Sequence, residues 1–298
     1  MTQTIDSSTN LSFPLKKPGI YDRLKNLAAR LLLYIPLILW GLITIFPFGW
    51  VFITSFREQT ELYSRPFALP VVWHFENYLN AWEEAHVGLY ARNSFMVTVL
   101  STALAVLVSA MPAYIFSRIN FRWKGVLWAY VLMGLMVPGV TTLLTLGVIV
   151  RKVGLYDNLL GLAAVYAFAG VPFNVFLLRS FMQTIPRELE EAAVMDGAGM
   201  GAVFWHVILP MSVPALTTVA TFHALYVWGE YILSVICLIS PEKFLLPMGI
   251  KNILGEFNKD YPGYAAAMVM SMIPSLIFFL VFQRYVVKGI SAGALKDI

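Results

Sequence analysis

The chain has 298 residues, of which 59% are hydrophobic and 13% charged, with a net charge of +4 and a mean hydropathy of +0.72. Soluble domains are about 45–50% apolar and about 25% charged, so this composition excludes an ordinary soluble domain and is typical of a polytopic membrane protein. The single cysteine, Cys237, excludes an internal disulfide and a cysteine-based zinc cluster, and the modest net charge gives no indication of nucleic-acid binding.

The chain begins with a polar, basic segment and continues in long apolar runs. We expect residues 1–30 to be a retained cytoplasmic tail, since the run that follows is too long for a secretory signal. Backbone groups in lipid must pair within their own segment, so the spans of the transmembrane domain (31–290) are predicted to be helices and the fold all-α. Each needs about 20 apolar residues. Six segments qualify: 31–53, 94–116, 126–150, 159–178, 211–239 and 264–283, before a short tail at 291–298.

The basic residues predict the orientation of these spans. With both termini in the cytoplasm, 13 of the 21 lysines and arginines lie on the inner side. The cluster Arg118, Arg122 and Lys124 contributes most, whereas Arg151 and Lys152 count against this topology. The outer connections are then 54–93, 151–158 and 240–263. The first and last are rich in aromatic residues and are either docking loops for an extracytoplasmic partner or plain solvated loops.

The inner connection between the fourth and fifth spans contains an unusually polar stretch, ELEEAAVMDGAG, at residues 188–199. Thr184 is predicted to cap a short helix with Pro186 in its first turn, and the glutamates then lie near the positive end of the helix dipole. Leu189, Ala192 and Ala193 are expected to form one small apolar face. Gly197 and Gly199 are predicted to stop the helix, and a second short helix, GAVFWHVI, to end at Pro210. The segment 184–210 is thus either a surface that another protein approaches or an amphipathic linker resting on lipid.

The stretch EAAVMDGAGMGAVFWHVILP resembles the EAA loop of binding-protein-dependent ABC importer permeases. The family pattern of Glu-Ala-Ala, three residues, Gly, nine residues, Ile or Val, one residue and Leu-Pro falls on Glu191, Ala192, Ala193, Gly197, Val207, Leu209 and Pro210. The preceding GLYDNLLGLAAVYAFAGVPFNVFLLRSFMQTIPRELEEAA, the later VWGEYI and the closing GISAGALKDI are similar to the second, maltose-permease-like subunit of the sugar branch. Gly229 departs from the family, which often has Asn there, and the resemblance covers roughly residues 90–295.

This resemblance implies the six-helix fold of a type I ABC importer permease in the cell inner membrane. It also implies a sister permease subunit, two ATPase subunits that bind the EAA loops, and an extracytoplasmic binding protein that delivers a sugar. The chain has no G-x-x-x-x-G-K-[ST] phosphate loop, so ATP and Mg²⁺ are expected on the partner ATPase and no catalysis or cofactor on this chain. The expected ATPase-coupling residues are Glu190, Glu191, Ala192, Ala193, Asp196, Gly197 and Ala198.

Polar residues inside the spans are candidates for a translocation pathway. Glu230 is the one clear acid within a predicted span, and His223 precedes it by two helical turns on the same face, with Tyr226 near that stripe. Asn174 and Trp228 complete the candidate set. Pairing of Glu230 with the sister subunit is the alternative role. The spacing of His74, His86 and His206 gives no metal site.

Two other functions stay open from the sequence. A secondary transporter would use Glu230 and His223 as an ion relay, but it usually has internal repeats, and none is evident here. An ABC permease for a non-sugar solute would share the loop but not the maltose-permease-like flanks. An intramembrane enzyme or scaffold has no residue set in its favour. The sequence does not distinguish a neutral sugar, such as a malto- or trehalose-like one, from an acidic one such as an alginate oligosaccharide.

Overall fold

The computed structural model describes residues 20–83, 86–256 and 260–294, and the described side chains are those of 31–83, 86–251 and 260–283. All regular structure in these residues is helical. The α-helices are α1 Ile20–Thr54, α2 Gln59–Ser64, α3 Glu76–Glu83, α4 Val87–Arg118, α5 Lys124–Met136, α6 Gly139–Lys152, α7 Leu159–Met182, α8 Glu188–Met195, α9 Met200–Val203, α10 Leu209–Met211, α11 Val213–Gly229, α12 Ile232–Cys237, α13 Leu246–Glu256 and α14 Tyr261–Ala294. A π-helix, Phe204–Ile208, joins α9 to α10, and a 3₁₀ turn, Pro241–Lys243, precedes α13.

The chain divides into two compact units, residues 1–50 and residues 51–298. Within the first unit, α1 begins at Ile20, so residues 20–30 of the predicted tail are helical. Their sequence, IYDRLKNLAAR, is rich in leucine, alanine, lysine and arginine, which are strong helix formers. The remainder of that predicted tail, and residues 295–298 of the C-terminal one, lie outside the described residues.

Among the described residues, four helical segments are individually long and apolar enough to span a bilayer: Leu31–Thr54, Val87–Arg118, Leu159–Met182 and Tyr261–Gln283. Two bent helix pairs raise the number to as many as six if each pair is one span. The segment 126–150, predicted as a single span, is divided between α5 and α6, which meet at an angle of 101°. Pro138 accounts for this break, because it lacks an N–H and holds Val137 in an extended conformation, with ψ 117°.

The segment 211–239 is also not one continuous helix. α9 to α10 and α11 form the second bent pair, with an angle of 71°. α11 then ends at Gly229, and Glu230 has an extended backbone with ψ 131° before α12 begins at Ile232. The acid that interrupts the apolar run is therefore the residue at which the helix breaks.

The core of residues 51–298 is organised around α4 and α7, which pack along most of their lengths. One apolar cluster joins the C-terminal halves of these two helices to the π-helix and the start of α11, and includes Leu178 and Ile208. A second joins their other halves to α6, α11 and α12 around Tyr166. A third packs α3, α13 and α14 against the first turn of α4. The chain thus builds a helical bundle with α4 passing through all three clusters.

The two ends of α4 contact different connecting segments. Near its start, the Asn93 amide donates to the carbonyl oxygens of Glu242 and Phe244 at 2.9 and 3.1 Å. At its last residue, Arg118 Nη2 donates to the carbonyl of Ile185 at 2.6 Å. These 25 residues of helix correspond to about 37 Å at 1.5 Å per residue. The connections 238–245 and 183–187 therefore lie at opposite ends of the bundle.

Candidate functional site

The helix α8 contains most of the acidic stretch that the sequence singled out. The prediction that Thr184 caps it is wrong, because the Thr184 hydroxyl donates to the carbonyl of Phe181 at 2.8 Å and α8 begins only at Glu188. Three glutamates still occupy its first turn, where the helix dipole favours negative charge. The prediction that Gly197 stops the helix is confirmed: its φ is +89°, a left-handed conformation that glycine adopts without strain.

The segment after Gly199 is more continuous than the sequence suggested. α9 passes through the π-helix into α10, and Pro210 lies inside that run instead of ending it. The π-helix directly before Pro210 is the local irregularity in this run. The run stops at Ser212, whose buried side chain lies at the 71° bend before α11. The loop and the next membrane helix are thus joined with no flexible spacer.

The predicted coupling residues fall on two different faces of the loop. Glu191, Ala192, Asp196 and Gly197 are exposed. Glu190, Ala193 and Ala198 are half-buried, and the two alanines pack against the cluster that joins α4, α7 and the π-helix. The expected apolar face of Leu189, Ala192 and Ala193 lies along α8, with Leu189 and Ala192 exposed and Ala193 half-buried. On the side of α8 that faces the protein, Glu190 forms an ion pair.

That ion pair belongs to what we call the Arg118 cluster, comprising Arg118, Ile185 and Glu190. The Nε of Arg118 lies 2.5 Å from Oε1 of Glu190, and the two side chains are only 8% and 15% exposed. The same guanidinium donates to the Ile185 carbonyl. Arginine is suited to both contacts because its planar group presents several donors in fixed directions. The end of α4 therefore holds α8 and the connection before it at once.

The neighbouring aromatic residues extend this attachment. Arg179 of α7 donates to the carbonyl of Phe116 at 3.2 Å, and its guanidinium stacks over Trp128 of α5 at 4.1 Å. Tyr114 of α4 meets Phe204 of the π-helix with ring centroids 5.3 Å apart. The last two turns of α4 thus contact α5, α7, α8 and the π-helix.

The predicted pathway residues do not form one group. Asn174 and His223 are buried where α7 crosses α11, at 1% and 4% exposure. The crossing is close because of Gly170: a Cβ at that position would lie 2.5 Å from Nδ1 of His223. Tyr226, in contrast, is 55% exposed and is not enclosed in this crossing.

Glu230 has partners within the chain. The Tyr166 hydroxyl donates to its carboxylate at 2.7 Å, and the backbone N–H of Leu233, in the first turn of α12, donates at 3.0 Å. The helical spacing that placed Glu230 with His223 does not apply, because α11 has already ended at Gly229. Glu230 therefore connects α7 to the start of α12 across the break.

Trp228 lies at one end of an apolar cavity of about 900 Å³ between α4, α11 and α14. Its indole N–H donates to the carbonyl of Ser271 in α14 at 3.2 Å. Beyond Trp228, the lining is almost entirely apolar, with a few threonines such as Thr98 and Thr221. No group of three possible metal ligands occurs in the described part of the chain.

At the opposite end of the bundle lies the Asp157 cluster, comprising Asp157, Ile239, Ser240 and Lys243. The Asp157 carboxylate accepts from the backbone N–H groups of Ile239 and Ser240 at 3.0 Å, from the Ser240 hydroxyl at 2.6 Å and from Nζ of Lys243 at 2.7 Å. These donors, the lysine first, hold the pKa of Asp157 well below its ordinary value. The connection before α7 is thereby tied to the segment after α12.

Sequence reasoning missed Tyr166, Asp157 and the structural role of Arg118. In the sequence, Arg118 indicates orientation and nothing more. For Tyr166, the one available signal is its hydroxyl in an apolar helix, which needs a hydrogen-bond partner when buried. The partner, Glu230, is 64 residues away.

Comparison with known proteins assigns a class to this helical bundle and its polar loop. Residues 87–292 match the family described as "Binding-protein-dependent transport system inner membrane component". The chain belongs to this family and is therefore a multi-pass, inner-membrane permease subunit.

Named relatives and solved structures extend this assignment. The chain is 36% identical to the diacetylchitobiose uptake system permease protein NgcG of Streptomyces coelicolor, over 87% of each chain. It is 30% identical to the trehalose transport system permease protein SugB of Mycobacterium tuberculosis, over 84% of this chain and 92% of that one. A bacterial ABC transporter involved in the import of the acidic polysaccharide alginate has a chain that matches with a TM-score of 0.76 and 25% identity, covering 90% of this chain and 98% of the other.

Proposed function

We propose that this chain forms half of the translocation pathway of an ABC importer for an oligosaccharide and transmits the action of a separate ATPase to it. Relatives named for diacetylchitobiose and trehalose uptake, and a structural neighbour from an alginate importer, support the carbohydrate class. The observation that carries the coupling role is the exposed face of the loop, formed by Glu191, Ala192, Asp196 and Gly197. It combines small residues, which permit close approach, with two carboxylates that attract a basic partner.

The partners and orientation follow from this role. A sister permease supplies the other half of the pathway, two ATPase subunits hold ATP and Mg²⁺, and an extracytoplasmic binding protein delivers the sugar. Both termini and the loop around α8 face the cytoplasm. The exposed aromatic residues of the 54–83 connection, among them Phe67 and Trp82, then lie on the side where a binding protein docks. A solved structure of the related alginate transporter in complex with an oligosaccharide-bound periplasmic protein, with 14% identity and a TM-score of 0.64, has the same fold.

The five pathway candidates have different roles in this proposal. Tyr226 is exposed and Trp228 borders the apolar cavity, so these two are the candidates for contact with the transported sugar. Asn174 and His223 are buried between α7 and α11 and would act on the pathway through helix packing. Glu230 would act by fixing the break between α11 and α12. An ion relay from His223 to Glu230 is not favoured, since α11 ends between them at Gly229 and the Glu230 carboxylate bonds to Tyr166 and to the N–H of Leu233.

The test compares two substitutions of Gly197 in the chain co-expressed with the other genes of its operon. Gly197→Trp places a large side chain on the exposed face at a positive φ, and we expect it to abolish co-purification of the ATPase. Gly197→Ala should be milder. Gly199→Trp is the matched control, because Gly199 is also exposed but has an ordinary φ of −74°. Equal ATPase recovery with Gly197→Trp and with the unaltered chain would contradict the coupling role.

A deletion of residues 187–201 provides the complementary measurement. If the ATPase is retained by the intact chain and lost with the deletion, the loop is its attachment site. If the intact, monodisperse chain retains no ATPase, the loop is a surface linker and an ion-driven carrier becomes the leading function. Thermal unfolding of both proteins in detergent shows whether the deletion has damaged the bundle itself.

A further inference from the structure

We propose that Glu190 is a positioning residue that connects α8 to the end of α4, so that displacement of the loop moves α4. This inference rests on the proposed coupling function and assigns Glu190 a role different from that of its neighbour Glu191. Glu190 faces the protein, whereas Glu191 faces solvent where a partner would bind. Successive residues of an α-helix point about 100° apart, so two adjacent glutamates can serve two different surfaces.

The first argument concerns what else holds α8 in place. None of the residues of α8 is fully buried. Its apolar contact with the bundle comes from Ala193, with Ala198 just beyond its end, and both side chains are small. Dispersion and apolar burial scale with contact area, so these methyl groups transmit little directed force. The ion pair between Glu190 and Arg118 links the side chains of α8 and α4 directly.

The second argument concerns the geometry of Arg118. Its guanidinium contacts Glu190 at 2.5 Å and the Ile185 carbonyl at 2.6 Å, so one side chain holds two points of the loop. Two points of attachment resist rotation of α8 as well as translation. Because both charged groups are mostly shielded from water, separating them is much more costly than separating an exposed pair. Movement of α8 without α4 is thereby disfavoured.

The third argument concerns which parts of the bundle a movement of α4 would affect. α4 continues from Arg118 to its opposite end, where Asn93 and Ser94 hold the backbone of residues 242–246. Along the way it forms one wall of the apolar cavity, through residues such as Thr98 and Val106. A displacement received at Arg118 therefore reaches both the cavity wall and the opposite end of the bundle through one helix.

Hydrogen–deuterium exchange can test this in the assembled complex of the chain with its co-expressed subunits in lipid nanodiscs. Exchange is compared without nucleotide and with ATP plus vanadate, which holds the ATPase closed. In the unaltered complex we expect nucleotide-dependent changes both in α8 and in the last turn of α4, residues 114–119. In Glu190→Gln the nucleotide-dependent change in exchange at residues 114–119 should be about fivefold smaller, which corresponds to the lower end of typical coupling between sites. The change in α8 and the recovery of ATPase should persist.

Matched variants separate this role from general loss of an acid. Glu188→Gln, an exposed glutamate in the same helical turn, should leave exchange at 114–119 unchanged. Arg118→Gln combined with Glu190→Gln should be no worse than Arg118→Gln alone if the two residues act as a pair. Arg118→Lys keeps the charge but cannot contact Glu190 and the Ile185 carbonyl at once. It should therefore reduce the exchange response at residues 114–119 in part, and it provides a test even if Glu190→Gln fails to assemble.

The outcomes distinguish this inference from the proposed function. A normal response at 114–119 in Glu190→Gln and Arg118→Lys overturns the inference while leaving the coupling loop intact. A response in α8 but none at 114–119 in the unaltered complex overturns it as well. Absence of any nucleotide response in α8 of the unaltered complex contradicts the proposed function itself.

Discussion

The two ends of the bundle are held by ion-paired clusters of different construction. In the Asp157 cluster, one carboxylate receives four hydrogen bonds, two of them from backbone N–H groups. Asp157 adopts a positive φ of 52° to reach them, and its own N–H donates to the carbonyl of Cys237 at 2.7 Å. In the Arg118 cluster, one guanidinium makes a single ion pair and one bond to a carbonyl. The Asp157 cluster is thus a network of bonds to one carboxylate within a loop, whereas the Arg118 cluster consists of two polar contacts from one side chain.

This difference indicates what each end can do. Releasing the Asp157 network requires several bonds to break together, since they share one acceptor group. The Arg118 cluster leaves the opposite face of α8 free, so a partner can bind there without competing for the internal contact. A redundant attachment suits a segment that keeps its shape, and an attachment through one side chain suits a segment that moves as a unit.

The largest effect is expected from Asp157→Ala. Charge-assisted hydrogen bonds are worth about 1.5–3 kcal/mol each, so loss of the shared acceptor should lower the free energy of unfolding by about 3 kcal/mol. Cys237 is completely buried and is the only cysteine, so a thiol-reactive dye in detergent reports on opening of this end. We expect faster labelling at temperatures below global unfolding. Glu242→Ala, an exposed acid in the adjacent 3₁₀ turn, should label at the rate of the unaltered chain.

Arg118→Ala should have the next largest effect. The substitution leaves the half-buried Glu190 carboxylate without its partner. We expect this to lower the free energy of unfolding by about 2 kcal/mol, and not more, because the carboxylate can rotate toward water. The unfolding midpoint should fall, but labelling of Cys237 below the midpoint should not accelerate, since the two clusters lie at opposite ends of α4. Accelerated labelling in Arg118→Ala would show that loss of the Arg118 cluster also loosens the Asp157 cluster, and would remove the contrast drawn above.

A pH titration sharpens the comparison from the Asp157 side. Because the folded-state pKa of Asp157 lies below its ordinary value of 3.8, its charge stabilises the fold above about pH 4, and that contribution is lost as the pH falls further. Asp157→Asn tolerates the positive φ and retains an acceptor, so it should be less stable by about 1–2 kcal/mol near pH 7. The difference in unfolding midpoint between Asp157→Asn and the unaltered chain should become smaller below pH 4. A constant gap between pH 3 and 7 would show that the charge of Asp157 contributes nothing.

The smallest effect is expected at the turn after α8. Gly197→Ala introduces a Cβ at a φ of +89° and should cost about 1 kcal/mol of stability. Gly199→Ala should be close to neutral, because that residue has an ordinary φ and no atom within 4 Å of the added Cβ. Equal midpoints for the two alanine variants, measured by thermal unfolding in detergent, would contradict the helix-stop assignment of Gly197.

The membrane class and the helical fold could be predicted because they depend on local composition. The helix break at Glu230 was not predicted, because the sequence placed this residue on one helical face with His223. The 101° bend at Pro138 was not predictable from the same information, because proline is common in membrane helices and breaks them only where neighbouring packing permits. The family could be predicted as well, because the EAA-loop pattern of residues 191–210 is long and lies within one continuous segment.

The orientation of side chains within the site could be predicted less well from the sequence. Periodicity shows which residues of α8 share a face but not which face is internal. That choice depends on Arg118, which precedes Glu190 by 72 residues in the chain. In the same way, the partner of Glu230 is determined by how α7 packs against α11, and that packing depends on Gly170. Long-range pairings of this kind leave no local pattern in a single sequence.

The continuity of α4 has a mechanical consequence. Between Asn93 and Arg118 the helix is unbroken, with Pro112 inside it, so it acts as a lever about 37 Å long. A tilt of about 5° at the Arg118 end displaces the Asn93 end by about 3 Å, from the rise of 1.5 Å per residue. That distance is roughly the diameter of a water molecule. A small rotation of α4 is therefore enough to open or close a water-sized gap at the far end of the bundle.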